Sequence, residues 1–374
     1  MPEKTVLVLG GSLAGLQITH RLLKHTLPHE PDLKVILVSR NSHFYWNTAS
    51  VRAVIPGLIK DEELLQPIEP GLGQYPAGSV EFIVGAATQV DKHAKTVEVE
   101  TASSGSRTLR YDYLVLATGA RAADTSMPWK ASGTYEDCVE ALHRTAERIG
   151  RASHIVVAGA GATGVELAAE IRFEYKDKTV VLLSADEELV GGDSTASALE
   201  WELVHLGVEI KKGLRSEGVE ELDDGKTQVS LSTGDKIVTD LFLPTMGLVP
   251  NTEFLPAEYL DDKKFADVDA EFRVKAAVED TWALGDVVSK PRPSIPETDA
   301  QAAGVAKNID LALKGQTQVP IKGYPVDVFL CTTGRHRGAG RLGWFRTPSI
   351  AVWAIKGRTL GTERTAKTVN GTSL

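Results

Sequence analysis

Two glycine-rich turns carry the clearest chemical signal in the sequence. The first spans Gly10–Gly15 and has Ser12 at the middle glycine position, whereas the second, Gly159–Gly164, has the complete Gly-x-Gly-x-x-Gly spacing. Glycines at these positions let the backbone turn tightly and approach a phosphate, and the N–H groups that open the following helix point at the anion. A single such turn could be a plain chain reversal. Two of them in separate parts of the chain, each between a predicted strand and a predicted helix, indicate two pyrophosphate sites.

Neither turn is followed by the acid that usually holds a ribose. An aspartate or glutamate about 20 residues beyond the turn normally accepts a hydrogen bond from the ribose 2′-hydroxyl, but Ser39 and Ser184 occupy these two positions. At the first site the Ser39 hydroxyl or the backbone is left to contact the ribose. At the second site no nearby arginine replaces the acid, and Asp186, Glu187 and Glu188 favour NADH over NADPH unless they form a solvated face.

The segments around the turns repeat a strand–turn–helix–strand pattern. Their strands are continuous apolar runs, which are typical of parallel strands buried on both faces. The two patterns are too far apart for one Rossmann domain and suit two nucleotide-binding domains in one polypeptide. A Pro-rich segment, Pro291–Pro296, leads into a predicted helix at Asp299–Leu313. The other predicted elements are strands at 6–9, 34–38, 111–116, 154–158, 179–183, 240–243 and 281–284, and helices at 16–25 and 165–172.

Composition and charge describe an ordinary globular chain. The 374 residues suit about two to three domains, and the 42% of hydrophobic residues supplies a large core. A net charge of −9 argues against non-specific nucleic-acid binding, because phosphate affinity needs clustered lysine and arginine. The charge is uneven, since residues 335–374 carry eight basic residues and one acid, leaving +7 on this tail and −16 on the rest. Such asymmetry often marks a functional surface.

Cysteine content and the length of apolar runs limit the chemistry and the location. Cys138 and Cys331 are the only cysteines, so there is no disulfide framework and no cysteine-based zinc site; no metal is expected, and a reducing compartment fits. No run approaches the ~18 apolar residues of a membrane span, and Val6–Leu9 is too short for a signal-peptide core. Pro2 excludes N-myristoylation. We expect a cytoplasmic protein that is not secreted, with peripheral membrane contact through the tail as an alternative.

Four motifs together resemble the two-dinucleotide-binding flavoproteins of the pyridine-nucleotide–disulfide-oxidoreductase superfamily. They are the two glycine turns, the second of them followed by Glu166, together with Leu116–Gly119 and Leu284–Asp286. The resemblance implies an α/β fold with two Rossmann-like domains, for FAD and NAD(P)H, and a small C-terminal α+β domain. The implied limits are 1–123 and 247–314 for the FAD domain, 124–246 for the NAD(P)H domain and 315–374 for the C-terminal domain.

Further features narrow the resemblance. Disulfide reductases of the superfamily carry a Cys-x4-Cys pair facing the flavin, and no cysteine precedes Cys138, which excludes dithiol chemistry. The segment His43–Ala53 and the tail motifs Thr333–Gly340 and Lys356–Arg358 resemble the ferroptosis-suppressor and apoptosis-inducing-factor-like mitochondrion-associated group, in its fungal branch. That group reduces quinones with NAD(P)H through FAD. The same activity is implied here, with a hydride passing to flavin N5 and two electrons passing to a quinone-like acceptor.

The resemblance also implies the residues of each site. That group pairs a tail lysine with a carboxylate at the position of Glu166, so Glu166 and Lys356 are predicted to be catalytic; a cation near flavin N5 and O4 stabilises the reduced ring. A helix-terminal acid and a surface lysine are the plain alternatives. Asp286 is expected at the flavin ribityl chain or phosphate, and Asn47 and Arg52 at the diphosphate or ring. The predicted FAD contacts are Gly10, Gly11, Ser12, Ala14, Gly15, Ser39, Arg40, Asn47, Arg52, Ala87, Thr118, Gly119, Gly285 and Asp286, and the predicted NAD(P)H contacts are Gly159, Gly161, Thr163, Gly164, Glu166, Ser184 and Gly247.

Two groups of residues have both structural and functional interpretations. Pro296 and Gln301 would lie near the flavin pyrimidine ring, or simply begin a helix. Trp344, Phe345 and Trp353 are most simply the core of the small C-terminal domain, but they could line a quinone tunnel or touch an anionic membrane surface.

Two alternatives to quinone reduction stay open at this stage. One keeps the cofactors and replaces quinone by a specialised small molecule of fungal secondary metabolism. The other is an apoptosis- or signalling-related protein in which formation of the FAD–NADH complex acts as a conformational switch. In each case we expect a monomer or homodimer that does not bind nucleic acid.

Overall fold

Two parallel β-sheets organise the chain. The computed structural model describes residues 3–101, 105–277, 280–289 and 294–373; Pro2 and residues 291–293 of the Pro-rich segment lie outside them. The first sheet has five strands, which are Lys4–Leu9 (β1), Leu33–Ser39 (β2), Val80–Val84 (β5), Tyr113–Leu116 (β9) and Thr281–Ala283 (β19). Their spatial order is β19-β9-β1-β2-β5.

The second sheet repeats this arrangement with four strands. They are His154–Ala158 (β11), Thr179–Leu183 (β12), Glu209–Lys211 (β13) and Leu241–Pro244 (β17), in the spatial order β13-β12-β11-β17. All of their pairings are parallel. In both sheets the first strand of the pattern lies in the interior and is almost fully buried. This burial on both faces explains why 6–9 and 154–158 are unbroken apolar runs.

Helices cover the sheets and connect them. The helix after the first glycine turn runs Leu13–Arg21 and continues as a wider turn to Thr26, and its counterpart runs Ala162–Glu174, so both begin three residues before their predicted starts. The helix predicted from Asp299 begins at Ile295, because the Ser294 hydroxyl accepts a hydrogen bond from the N–H of Glu297. The helices are Leu13–Arg21 (α1), Ser50–Ala53 (α2), Asp61–Leu64 (α3), Ile68–Leu72 (α4), Tyr135–Arg151 (α5), Ala162–Glu174 (α6), Ala196–Leu206 (α7), Ile295–Leu313 (α8), Ser349–Val352 (α9) and Thr365–Val369 (α10).

The remaining strands form small antiparallel sheets. Three of them have three strands each and two have two strands each. The three-stranded sheets are Ala86–Asp91, Thr96–Thr101 and Gly105–Arg110 (β6–β8), Ser216–Glu221, Thr227–Leu231 and Lys236–Thr239 (β14–β16), and Val328–Thr332, Gly338–Leu342 and Phe345–Thr347 (β20–β22). The two-stranded sheets are His43–Tyr45 with Leu65–Pro67 (β3, β4) and Ala120–Ala122 with Leu248–Pro250 (β10, β18).

The C-terminal segment packs on both halves of the molecule. Strand β20 contacts α6 and strand β21 contacts α7, while α10 contacts α1. Trp353 is partly buried, but Trp344 and Phe345 are 85% and 65% exposed. The interpretation of Trp344 and Phe345 as domain core is therefore wrong, because both lie at the tip of the β21–β22 hairpin. The predicted fold class is confirmed, with two Rossmann-like sheets and a small C-terminal α+β unit.

Candidate active site

The first glycine turn requires glycine at its two ends. Gly10 has a φ of +114°, and a Cβ there would lie 2.2 Å from the carbonyl oxygen of Ala117. A Cβ on Gly15 would lie 1.6 Å from the carbonyl oxygen of Gly10, so α1 packs directly against the turn. Ser12 has extended backbone (φ −93°), which any residue can adopt. Serine is therefore tolerated at the middle position, where it leaves its hydroxyl at the opening of α1.

The second turn uses its three glycines in two different ways. A Cβ on Gly164 would lie 1.8 Å from the carbonyl oxygen of Gly159, so this glycine is needed for packing. Around Gly161, in contrast, no atom lies within 4 Å of where a Cβ would be. That open space faces a cavity, and neither α1 nor α6 has an acid in its first turn to repel an anion. The turn thus offers the backbone approach that a pyrophosphate needs.

A cavity of 840 Å³ lies at the carboxyl end of the first sheet, within the size range of small-molecule sites. It runs from the first glycine turn past the ends of β2 and β9. Several predicted FAD contacts line it, namely Gly10, Gly11, Ser12, Ser39, Arg40, Ala87 and Thr118. The Ser39 hydroxyl donates to the carbonyl oxygen of Asn41 at 2.7 Å, and Ser39 packs so closely against Gly11 that a Cβ on Gly11 would lie 2.5 Å from Ser39 Oγ.

Part of the lining was missed by sequence reasoning. It comes from β10, from the segment that enters α5 and from the residues after β18, and it includes Arg121, Ser132, Gly133, Asn251 and Glu253. Arg121 donates to Asn251 Oδ1 at 2.9 Å and pairs with Glu253, and Asn251 exchanges hydrogen bonds with Thr118. The β10–β18 pairing brings these residues together across a long sequence separation, and no local motif marks it.

The other predicted FAD contacts lie outside this lining. Ala14 and Gly15 are in α1 behind the turn, and a Cβ on Gly285 would come within 2.9 Å of Ala14 Cβ. Asn47 donates to the carbonyl oxygen of Trp129 at 3.0 Å. Gly119 has a φ of +65° and closes the turn after β9.

The Gly285–Asp286 turn is held by two side chains. Gln301 Oε1 accepts a hydrogen bond from the Gly285 N–H at 2.8 Å, and Gln301 is almost fully buried. Asp286 Oδ2 lies 2.5 Å from Lys130 Nζ, a residue that the sequence did not single out. Pro296 lies in the first turn of α8. Gln301 thus fixes the backbone of the turn, and Lys130 neutralises its carboxylate.

Arg52 takes part in an ion pair between elements. Its guanidinium donates to Glu170 Oε1 at 2.7 and 3.0 Å and to the Gly357 carbonyl oxygen at 2.8 Å. Both side chains are buried, and burial raises the pKa of the Glu170 carboxyl, which Arg52 partly offsets. In this arrangement Arg52 ties α2 to α6 and to the C-terminal segment.

A smaller cavity of 420 Å³ lies at the carboxyl end of the second sheet. The predicted contacts Gly159, Gly161 and Ser184 line it, whereas Thr163, Gly164, Glu166 and Gly247 do not. Ser184 repeats the contact of Ser39, since its hydroxyl donates to the carbonyl oxygen of Asp186 at 2.7 Å. Met246, next to Gly247, also lines the cavity.

Glu166 and Lys356 meet although they are far apart in sequence. Lys356 Nζ lies 2.7 Å from Glu166 Oε1 and also donates to the Leu330 carbonyl oxygen at 3.1 Å. The same Oε1 accepts from the N–H and the hydroxyl of Thr332, at 2.8 and 3.1 Å. Glu166 is buried and the Lys356 side chain is 19% exposed. Thr332 was missed by sequence reasoning, because strand pairing in β20 rather than a motif brings it to α6.

These features fit the two cofactors implied by the sequence. Each cavity is opened by a glycine turn whose neighbouring helix lacks N-terminal acids, and the two cavities belong to separate parallel sheets. Two such cradles in one chain define a two-dinucleotide-binding oxidoreductase. The chain belongs to the pyridine nucleotide-disulphide oxidoreductase family, whose model matches residues 4–333. It is accordingly an oxidoreductase whose cofactors are FAD and NAD(P)H.

Similar proteins confirm the predicted resemblance. Oxidoreductase ptaL of Pestalotiopsis fici is 37% identical over 99% of this chain and 100% of the relative. Ferroptosis suppressor protein 1 of Homo sapiens is 25% identical over 97% of this chain and 95% of the relative. Among solved structures, the sulfide:quinone oxidoreductase of Aquifex aeolicus superposes with a TM-score of 0.77 at 16% identity, covering 98% of this chain and 92% of that one. This last similarity shows the fold.

Proposed function

We propose that the chain is an FAD-dependent NAD(P)H:quinone oxidoreductase. The observation that carries the proposal is the Glu166–Lys356 pair. It joins α6, the helix that begins at the NAD(P)H turn, to the C-terminal segment. Cys138 and Cys331, the only cysteines of the sequence, are both buried and far apart in the chain, so the Cys-x4-Cys pair of the disulfide reductases is missing. Direct transfer of electrons from the flavin to the acceptor fits this sequence.

Two acceptors of the chain hold the Lys356 ammonium beside the Glu166 carboxylate. When bound, FAD accepts a hydride from NAD(P)H at N5 and passes two electrons to the acceptor. Lys356 Nζ is held by Glu166 Oε1 and the Leu330 carbonyl oxygen, so its position is defined by two acceptors. A preorganised ammonium stabilises negative charge that develops next to it without reorganising water. The hydrogen bonds from Lys356 and Thr332 all reach Glu166 Oε1, and none of them reaches Oε2.

The surface next to Lys356 suits an apolar acceptor. Ile355 and Ile350, on the same segment, are 57% and 71% exposed, and nearby in the chain the ring centroids of Trp344 and Phe345 lie 4.5 Å apart with their planes tilted by 34°. Exposed apolar groups of this size generally mark a binding surface. Arg346 adds a positive charge beside the rings, which favours an anionic bilayer. Among the described residues no helix is long and apolar enough to cross a membrane. We propose peripheral contact with a membrane that contains the quinone.

The direct test compares two acceptors under anaerobic conditions. The wild type and Trp344→Ser/Phe345→Ser are reduced with NAD(P)H and reoxidised with either a soluble benzoquinone or a long-chain quinone in anionic vesicles. Both proteins should use benzoquinone at equal rates, and the double variant should lose most of its activity with the vesicle quinone. Val219→Ser is the matched control, because Val219 is 54% exposed on β14, which belongs to a different sheet from β21 and β22.

Two results would contradict parts of the proposal. Reduced protein that no quinone reoxidises would exclude quinone reduction, and a search among other small acceptors would then test a specialised metabolite as the substrate. Equal use of the vesicle quinone by the wild type and the double variant would exclude the aromatic pair as a membrane contact.

A further inference from the structure

The adenosine end of the NAD(P)H cavity is formed by two strand ends. The lining includes the glycine turn at Gly159–Gly161, Ser184 after β12 and Arg215 after β13. Since the turn receives the pyrophosphate, the ends of β12 and β13 receive the adenosine ribose. The groups at this end therefore decide whether a 2′-phosphate is accepted.

Backbone hydrogen bonds hold Arg215 next to Ser184. The Ser184 N–H donates to the Lys211 carbonyl oxygen at 2.8 Å, and the Leu214 N–H donates to the Ser184 carbonyl oxygen at 2.9 Å. The Arg215 backbone is also fixed by Ser232, with its N–H donating to Ser232 Oγ at 3.1 Å and its carbonyl accepting from the Ser232 N–H at 2.9 Å. The proximity of Arg215 to Ser184 could not be predicted from the sequence, because Arg215 follows β13 and Ser184 follows β12.

The guanidinium of Arg215 is available for a ligand. Within the part of the chain that the structure describes, Arg215 forms no ion pair, whereas the neighbouring Lys212 is paired with Glu200. Arg215 is exposed at the cavity edge. An arginine in this state can bind a phosphate through two parallel N–H donors.

Two of the three acids after β12 lie against glycines of flanking loops. Glu187 Oε1 is 2.6 Å from the place that a Cβ on Gly213 would take, and Glu188 Oε2 is 3.1 Å from the corresponding place at Gly192. Asp186 and Glu188 both contribute to the lining, so the site is not free of negative charge. At the position where an acid would bind the ribose 2′-hydroxyl and repel a phosphate, however, the chain has the neutral Ser184.

We propose that Arg215, together with Ser216, binds the 2′-phosphate of NADPH beside the neutral Ser184 and makes NADPH the preferred hydride donor. The proposal deepens the proposed function and rests only on its NAD(P)H step, not on the acceptor. It replaces the preference for NADH that Asp186, Glu187 and Glu188 suggested in the sequence.

The test measures binding rather than turnover. Adenosine 2′,5′-bisphosphate and AMP differ only in the 2′-phosphate, and calorimetric titration of the FAD-loaded protein gives both dissociation constants. Wild type should bind the bisphosphate at least about tenfold more tightly than AMP. Arg215→Ala should remove this advantage and leave AMP binding within about twofold, and Arg215→Lys should retain part of it. Lys236→Ala is the control, because it removes one exposed positive charge from the same sheet as Ser216 but outside the cavity lining.

Three outcomes would overturn the assignment. They are equal binding of the two ligands by wild type, an unchanged bisphosphate preference in Arg215→Ala, and equal loss of both ligands in Arg215→Ala. The last would mean that Arg215 stacks on the adenine instead. Failure of quinone reduction would leave the binding result intact, so the two proposals can fail separately.

Discussion

The pairing of Glu166 with Lys356 places a fixed positive charge at the junction of three elements. Glu166 receives three hydrogen bonds on one oxygen, from Lys356 and twice from Thr332. A carboxylate held in this way cannot rotate without losing several partners. The pair is thus preorganised in the sense that electrostatic catalysis requires.

Removing either charge should slow turnover without releasing FAD. We expect Lys356→Met and Glu166→Gln each to lower kcat by about 10²-fold, the usual effect of losing one preorganised group, and the double variant to be little worse than either single one. Steady-state kinetics with NADPH and benzoquinone, alongside the flavin absorption spectrum, provide the check. Lys314→Met, at an exposed pair with Asp310, is the control. Unchanged kcat in both single variants would make the pair structural.

At this scale the sequence was informative where a motif spans neighbouring residues. Glycines 10, 15, 159 and 164 were predicted because each is required by local backbone geometry. Thr332, Lys130 and Arg215 were not, because their partners come from distant strands and no periodicity encodes such contacts. Arg52 shows the same limit, since its partner Glu170 lies 118 residues further along the chain and no motif links the two.

At the scale of elements, each glycine turn performs two separable tasks, which are packing of a helix and approach of a phosphate. Gly164 performs the first, since its Cβ would collide with the Gly159 carbonyl oxygen. Gly161 performs the second, since nothing within 4 Å would meet its Cβ.

Two alanine variants should separate these tasks. Gly164→Ala should destabilise the fold by about 1–3 kcal/mol, as overpacking does, measured by urea unfolding. Gly161→Ala should unfold like the wild type and keep FAD, but it should bind NADPH more than about tenfold more weakly. Equal NADPH affinity in Gly161→Ala and wild type would show that the phosphates do not approach this residue.

The Arg52–Glu170 pair connects α2, α6 and the C-terminal segment. Arg52→Met would leave a buried carboxylate without its cation, a change that costs about 3–5 kcal/mol. Arg52→Met/Glu170→Met should recover most of that loss, because it removes both charges. Arg151→Met, at an exposed pair with Glu147, should cost less than about 1 kcal/mol. Urea unfolding of the four proteins gives the comparison, and a double variant as unstable as Arg52→Met would contradict this account of the pair.

At the scale of the whole molecule, hydrogen bonds through His20 attach the C-terminal segment to the first domain. His20 Nε2 donates to the Val369 carbonyl oxygen at 2.8 Å, and its Nδ1 accepts from the Tyr75 hydroxyl at 2.7 Å. Burial lowers the pKa of His20 to about 4. The imidazole is therefore neutral in the folded protein, where it joins α1 to the segment that also supplies Lys356.

This histidine makes stability depend on pH. The unfolded chain binds a proton near pH 6.5 and the folded one only near pH 4, so stability is complete above pH 6.5 and is lost as pH falls between these values. His20 should account for a loss of about 2 kcal/mol between pH 8 and pH 5. Urea unfolding at both pH values should show that the loss is smaller in His20→Gln by this amount. Parallel pH profiles of the two proteins would exclude the effect.

The fold as a whole could be predicted from the sequence because both Rossmann patterns have buried parallel strands and local turn motifs. The C-terminal unit was less predictable. Strands β21 and β22 carry mostly small and charged residues, and Trp344 and Phe345 are exposed at the tip of their hairpin instead of forming a core. Apolar content alone does not distinguish a core from a docking surface.

The central claim is that one chain holds FAD and NADPH in two separate cradles and transfers electrons between them. Anaerobic titration of the purified, FAD-reconstituted protein with NADPH, followed by absorption spectroscopy, tests it most directly. We expect the oxidised-flavin bands to be present and to bleach stoichiometrically. Colourless protein that takes up no FAD, or a bound flavin that neither NADPH nor NADH bleaches, would contradict the account.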